Sequence, residues 1–372
     1  MLCVTLPGLG HTYSLVPTAW ALRAAGHDIL WVASGPSLKL ANAGFAVIDP
    51  APDVNFGDIF AAYFRQRPHL RFGENTDAAR FGFFSELYAE VSKPTIDETV
   101  AIARSWKPDI MLYSPFQAAG PLVAAVVRVP SLCHSFSAHS ADPRSGADIA
   151  RYVRDAYIRH DTRWRTPDAT ITIAPPSMLE RPDHSWQVRH IPYNGGAAVP
   201  KWLTQPAPRP RIAVSLGSVL PEHLRTARLR PLLDAIGQTD ADFILALNGL
   251  DVGAVPSNVH PEPWTPLSAL LETCSAVVHH GGAGTTLAAL DAALPQLVLP
   301  QGADQFLNAR DVERTGVGIA VAPEAITPTS LHRLLEDEQL QSAAEHMAKE
   351  MHALPPPLAL VPNIERLTRN SC

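Results

Sequence analysis

The feature that most constrains this chain is an alternation. Short apolar runs recur at residues 2–6, 29–33, 46–48, 110–113 and 131–134, and again at 212–216, 243–247, 276–279, 296–299 and 318–321. Most are parted by stretches long enough for a helix, with helical patterns at 78–92, 94–105 and 117–127 in the first half. Apolar runs joined by helical crossovers specify a parallel sheet buried on both faces, with right-handed connections. The first unit of this kind is explicit: run 2–6 ends at Pro7-Gly8-Leu9-Gly10, Leu15, Val16, Ala19, Trp20 and Leu22 follow at helical spacing, Gly26 closes the helix, and run 29–33 returns as a neighbouring strand.

A chain of 372 residues suits two domains of roughly 100–200 residues each. The boundary falls where Asn194-Gly195-Gly196 and Pro206-Ala207-Pro208-Arg209-Pro210 exclude a helix or a central strand. The expected division is 1–193, a linker at 194–210, a second domain at 211–352, and a terminal segment 353–372 that breaks at Pro355-Pro356-Pro357. The fold class is therefore α/β, with two doubly wound sheets and a ligand cleft where the carboxyl ends of their strands meet. With 46% apolar and 18% charged residues, disorder and collagen are excluded. A net charge of −6 argues against nucleic acid or an anionic membrane as partner. Cys3, Cys133, Cys274 and Cys372 form no CxxC pair and read as reduced thiols. No basic leader or membrane-spanning run is seen, so a soluble cytoplasmic protein is expected.

The chemistry concentrates in four places. His279-His280-Gly281-Gly282-Ala283-Gly284-Thr285-Thr286 joins a strand to a helix, and its glycines and helix N-terminus suit a diphosphate, although a plain tight turn uses the same residues. It is neither a Walker loop nor GxGxxG, and adjacent histidines on a strand face opposite ways, which disfavours a two-histidine metal site. Asp304-Gln305, in Pro300-Gln301-Gly302-Ala303-Asp304-Gln305, either meets sugar hydroxyls or caps the following helix. Trp264, in Trp264-Thr265-Pro266-Leu267, is either a core anchor or a stacking platform for a base. His11, after Gly8-Leu9-Gly10, is either structural or a base for a hydroxyl proton. Tyr13 in place of a third glycine, and the absence of an acid after Val32-Ala33-Ser34, disfavour NAD.

Together, Gly10-His11, Pro17 and Gly26-His27-Asp28 in the first half, and Trp264-Thr265-Pro266, His279 to Thr285 and Asp304-Gln305 in the second, carry a family resemblance. The chain resembles the inverting GT-B glycosyltransferases, closest to the actinobacterial enzymes that attach deoxysugars to antibiotic aglycones such as enediynes and aromatic polyketides. The resemblance implies transfer from a dTDP-sugar co-substrate, with UDP-sugar second, and no metal or other cofactor. It implies that Trp264 stacks on the base, Pro266 and Leu267 read its edge through their backbone, and His280, Gly282, Gly284, Thr285 and Ser218 hold the diphosphate. Asp304 and Gln305 would meet the sugar, His11 would be the general base, and the terminal segment 353–372 would cross back to the first domain.

The chain departs from that family at the end of the strand 110–113, where Ser114 stands in the place of an Asp that orients the base histidine in many relatives. Ser114 could serve weakly, Asp142 or Asp148 could substitute, or the acceptor could be acidic enough, as a phenol is, to need little help. Segments 55–84 and 136–164, with Phe56, Phe60, Tyr63, Phe64, Phe72, Phe81, Phe83 and Phe84, are the expected lining of a hydrophobic aglycone site. Homodimerisation and an accessory protein stay open. The competing readings are a sugar-nucleotide epimerase on the same fold and a non-catalytic nucleotide-binding partner.

Overall fold

The computed structural model describes residues 1–67, 81–139, 143–179, 185–217, 222–246, 253–262, 265–302 and 304–370. Ser218, Trp264, Asp142 and Phe72 lie outside the described residues, and Phe81 and Phe83 are described by backbone alone. The chain forms two compact units, one of Met1–Ala174, Arg181–Arg189 and Pro355–Cys372, the other of Pro175–Glu180 and His190–Leu354.

The first unit holds a seven-stranded, all-parallel sheet built from β1 (Leu2–Val4), β2 (Leu30–Val32), β3 (Ala46–Ile48), β4 (Met111–Tyr113), β5 (Ser131–His134), β6 (Ala169–Thr172) and β7 (Trp186–Gln187). Its order is β3-β2-β1-β4-β5-β6-β7, so the winding reverses between β1 and β4. In open α/β sheets the carboxyl ends flanking such a reversal are where ligands bind. The helix Val16–Ala24 buries Val16, Pro17, Ala19 and Leu22, and Gly26 at φ +95 ends it. Trp20 departs from the apolar stripe read from the sequence: it is 40% exposed, with its indole N–H donating to the Ala43 carbonyl at 3.0 Å. Smaller Ala19 and branched Val16 are fully buried instead. The terminal turn Pro357–Leu360 packs on this same helix, and Pro355 accepts the N–H of Arg189 at 2.8 Å.

The second unit holds a six-stranded, all-parallel sheet: β8 (Arg211–Ser215), β9 (Asp242–Ala246), β10 (Val259–Glu262), β11 (Ala276–His279), β12 (Gln296–Val298) and β13 (Gly318–Ala320). The order β10-β9-β8-β11-β12-β13 again reverses, here between β8 and β11. Alternate residues explain why its strands read as continuous apolar runs. Ile212, Val214, Phe243, Leu245, Val278 and Leu297 pack with Leu229, Leu232, Leu331 and Leu334 on one face. Ala213, Ile244 and Val277 pack with Leu267, Leu270, Leu271, Ala288 and Ala289 on the other. Ala288 and Ala289 belong to the helix Ala283–Asp291 that leaves the glycine loop, so core burial fixes where that helix starts.

Five strands run one or two residues shorter than the expected runs, three coincide with them and two are shifted by one residue, and three further strands were not read from the sequence. β6 and β7 carry polar side chains, and β10 is an edge strand containing Pro261, a residue that only an edge tolerates. The proline-rich stretch before β8 is not free chain. It forms a short 3-10 turn at Lys201–Thr204, in which the Trp202 indole donates to Glu262 at 3.1 Å while the Arg211 guanidinium lies 4.9 Å over its ring. Pro175–Glu180 is held to the second unit by Arg314, which donates to the carbonyls of Ser177 and Met178, and by Glu350, which accepts the Ser177 N–H. Among the described residues no helix is long and apolar enough to cross a membrane.

Candidate active site

In the second unit β11 ends at His279 and the chain turns through His280, Gly281 and Gly282 into the helix Ala283–Asp291. The two histidines face opposite ways, with ring planes at 90°. His279 is fully buried. Its Nδ1 accepts the N–H of Gly281 at 3.0 Å, so its Nε2 carries the proton and donates to Oε1 of Gln296 at 2.9 Å. Burial lowers its pKa to about 3, which keeps the ring neutral. His279 therefore fastens the loop to β12, and among the described residues no three His, Cys, Asp or Glu side chains group as a metal site requires.

His280 takes the other side. Its backbone N–H and its ring Nδ1–H both reach the Ser215 carbonyl at the end of β8, at 3.2 and 3.3 Å. Gly217, at φ +73, and Gly282 close on the ring: a Cβ on either would lie 2.7 or 2.5 Å from Nε2. Gly281, at φ +86, would drive a Cβ to 2.9 Å from the Gln305 carbonyl, and its own carbonyl accepts from Asn308 at 2.8 Å. A Cβ at Gly284 would meet nothing within 4 Å. The helix starts at Gly282 with no capping side chain, leaving its first-turn N–H groups, Thr285 included, as donors beside an unobstructed Gly284.

Asp304 occupies the position before the helix Gln305–Arg314 but makes no capping hydrogen bond; its Oδ2 accepts from Asn308 at 3.2 Å, so the capping alternative fails. Gln305 folds back to accept the Gln301 N–H at 2.8 Å. Gln301 escaped the sequence reading. It is buried, and both atoms of its amide lack a hydrogen-bond partner, a costly arrangement at a sheet's carboxyl end. Pro266 precedes the helix Leu267–Leu271 and accepts the Leu270 N–H at 3.1 Å, while the Leu267 side chain is core.

In the first unit His11 stands on the short helix Leu9–Tyr13, just past the carboxyl end of β1. Ser37 staples that turn by accepting the Gly8 N–H at 2.9 Å and donating to the Leu6 carbonyl at 2.8 Å. The imidazole lies against Phe136 and Tyr88, at centroid distances of 4.1 and 5.4 Å. Burial lowers its pKa to about 4, and its Nδ1 is buried with no hydrogen-bond partner. Ser114 does not orient it: the Ser114 hydroxyl is also buried and unpartnered. Asp148 does not substitute either, since its carboxylate pairs with Arg151 at 3.1 Å. The aromatic wall extends beyond the segments expected from sequence. Tyr88 stacks on Phe84 and faces Phe116 at 5.5 Å, and Phe116 holds a left-handed φ of +65. A bulky residue there is strained by about 1–3 kcal/mol, and such strain clusters at functional sites.

Comparison with known proteins gives the family of both units. Residues 20–217 match the family model described as the N-terminal domain of erythromycin biosynthesis protein CIII-like proteins, and residues 230–367 match its C-terminal counterpart. The elloramycin glycosyltransferase ElmGT of Streptomyces olivaceus is 35% identical, over 96% of this chain and 94% of that protein. The crystal structure of the glycosyltransferase SnogD from Streptomyces nogalater superposes with a TM-score of 0.88 at 37% identity, covering 98% of this chain and 99% of that one. The glycosyltransferase SsfS6 of Streptomyces sp. SF2575, complexed with thymidine diphosphate, gives a TM-score of 0.84 at 27% identity over 98% and 99% of the two chains.

Two outcomes follow from the geometry. Gly217→Ala and Gly282→Ala should each cost about 1–3 kcal/mol in urea unfolding, because a Cβ enters the His280 ring. Gly284→Ala should cost nothing and gain up to about 1 kcal/mol in helix propensity. The buried neutral histidines set a pH dependence. His134 and His279 have folded pKa values of about 4 and about 3, below the unfolded value of about 6.5. The unfolded chain therefore binds more protons between these limits. Stability should be full above pH ~6.5 and fall as pH drops toward ~4, by up to about 1.4 kcal/mol per pH unit for each histidine. Urea midpoints from pH 4 to 8 check this, and a flat profile would contradict it.

Proposed function

This chain belongs to the erythromycin biosynthesis protein CIII-like family, whose relatives are antibiotic and polyketide glycosyltransferases, and from that premise we propose that it transfers a deoxysugar from a dTDP-sugar to a hydrophobic natural-product aglycone, with inversion and with His11 as general base. The observation that carries the donor half is the glycine loop: an uncapped helix start, an open Gly284 and a ring held by Ser215, all within one turn.

The diphosphate sits at His280, Gly282, Gly284 and Thr285, with Ser218 as a further contact. Trp264 stacks on the thymine and the backbone at Pro266 and Leu267 reads its edge. Asp304 and Gln305 receive the sugar hydroxyls. The structural neighbour complexed with thymidine diphosphate supports dTDP ahead of UDP. In the reaction the acceptor O–H gives its proton to His11, the oxygen bonds to the anomeric carbon, and the bond from that carbon to the β-phosphate oxygen breaks. dTDP leaves with growing negative charge, which oriented N–H groups and a helix N-terminus stabilise in place without a metal or further cofactor. The aromatic wall of Phe84, Tyr88, Phe116 and Phe136 supports a flat, apolar acceptor beside His11.

Thermal unfolding with dTDP, UDP and NAD in parallel tests the donor. A ligand at ~100 times its Kd adds about 2.7 kcal/mol, so dTDP should shift Tm most and NAD not at all. Gly284→Ala should keep or slightly raise the unliganded Tm and lose most of the dTDP shift. His11→Ala should keep the dTDP shift and lose on the order of 10²-fold or more in turnover. Unchanged turnover would remove His11 from the chemistry.

A further inference from the structure

We propose that Ser37, a residue outside every segment expected to carry chemistry, is a positioning residue that holds His11 in place for proton transfer. The inference rests on the reading of His11 as the base and deepens it by naming what fixes that base.

Nδ1, the atom through which a base histidine is ordinarily oriented, is buried and without a hydrogen-bond partner in His11. The rings of Phe136 and Tyr88 lie against the imidazole, so its place is set by packing and by the loop that carries it. That loop is tied to one hydroxyl. Ser37 lies fully buried on the 3-10 turn Gly35–Ala43, which follows β2, and uses every valence of its oxygen. It donates to the Leu6 carbonyl at 2.8 Å, and accepts from the Gly8 N–H at 2.9 Å and from the Thr12 hydroxyl at 2.8 Å. These three residues enclose His11 in the chain. Gly8 also lies against the ring, where a Cβ would stand 3.5 Å from the imidazole Cδ2, and its carbonyl accepts the His11 N–H at 3.1 Å. A displacement of Gly8 is therefore felt directly at the imidazole.

The loop closes without Ser37. The Gly8 N–H also reaches the Leu6 carbonyl at 2.8 Å, and the Thr12 hydroxyl also lies 2.9 Å from the Gly8 carbonyl. What Ser37 adds is a fixed distance between this loop and the next. Its own turn is anchored: Ser34 donates to Asp49 at 2.6 Å, and Gly35, left-handed at φ +56, brings the chain against Pro7, whose side chain a Cβ would meet at 3.5 Å. From the other neighbour of β1, Gln117 in the loop after β4 donates to the Thr5 carbonyl at 3.2 Å. The end of β1 is thus gripped from both sides, and Ser37 carries the grip to the residues around the base. Misplacing a reacting group by about 1 Å costs on the order of 10²-fold in rate, so a bond that sets this distance governs turnover.

The first test reads the imidazole itself. With histidine isotope-labelled at the ring Cε1, the NMR signal of His11 is identified by its loss in His11→Ala, and the ring currents of Phe136 and Tyr88 make its position sensitive to distance. Ser37→Ala should move that signal and leave the signal of His279, in the second unit, in place. With dTDP-glucose and a dihydroxyanthraquinone as probes, Ser37→Ala should lower kcat by about 10- to 100-fold, with the KM for dTDP-glucose and the dTDP shift in Tm unchanged. In the His11→Ala background the same substitution should cost less than about threefold, because no base remains to be positioned. If Ser37→Ala does not fold, Thr12→Val removes one bond from the same hydroxyl while Thr12→Ser keeps it, and kcat should fall in the first and hold in the second. A His11 signal unmoved by the loss of these bonds, or an equal cost with and without His11, overturns the proposal. Unaltered turnover in His11→Ala overturns the base and the proposal with it. If the anthraquinone is not turned over, the His11 signal decides alone.

Discussion

Much of the second unit depends on how one peptide is held. Gly281, in a left-handed conformation, gives its N–H to His279 and its carbonyl to Asn308, so β11 and the helix after Asp304 grip the same residue from two sides. The grip sets where the chain leaves the sheet, and hence where the helix Ala283–Asp291 begins with its donors uncapped. Because His279 is neutral and spent on this fastening, His280 alone turns to the open side. A bare anion site at a helix start is weak when the loop can rearrange. Here the loop is fixed before any ligand arrives, which is the condition for stabilising charge without reorganisation.

The first unit uses the same topology for a different chemistry. Its reversal between β1 and β4 brings together a loop bearing His11 and a loop bearing Ser114 and Phe116. Phe136 and Tyr88 lie against His11, and Phe116, packed on both, holds a left-handed backbone. One sheet thus ends in oriented polar donors and the other in a buried imidazole beside aromatic rings. The contrast follows from what fills equivalent positions after the strand beyond each reversal: histidine and glycines after β11, proline and phenylalanine after β4.

The doubly wound sheets were legible because their strands are buried on both faces and are parted by stretches long enough for helices. The polar edge strands were not, since β7 and β10 carry too few apolar residues to stand out. At the site, the opposite facing of His279 and His280 could be read from the strand period alone. Which of them turns inward could not, because that depends on Gln296, a buried amide on the next strand that only the sheet register brings alongside. The missing acid at Ser114 was legible as a residue type. Phe136 opens a segment expected to line the acceptor site, but Tyr88 and Phe116 fall outside the expected segments and meet it only in the folded unit. The unpartnered amide of Gln301 has no sequence signal at all.

The path of the chain carries a last consequence. It leaves the first unit at Ala174, lends Pro175–Glu180 to the second, returns for Arg181–Arg189, and comes back finally at Pro355. The two units are therefore not two consecutive halves. A single cut near residue 193 would strip the helix Val16–Ala24 of the turn Pro357–Leu360 that covers it, and would strip Arg314 of the carbonyls it binds at Ser177 and Met178. Recombining such chains between relatives would have to treat the tail as part of the N-terminal piece, so the natural unit of exchange is a discontinuous set of segments and not a length of gene.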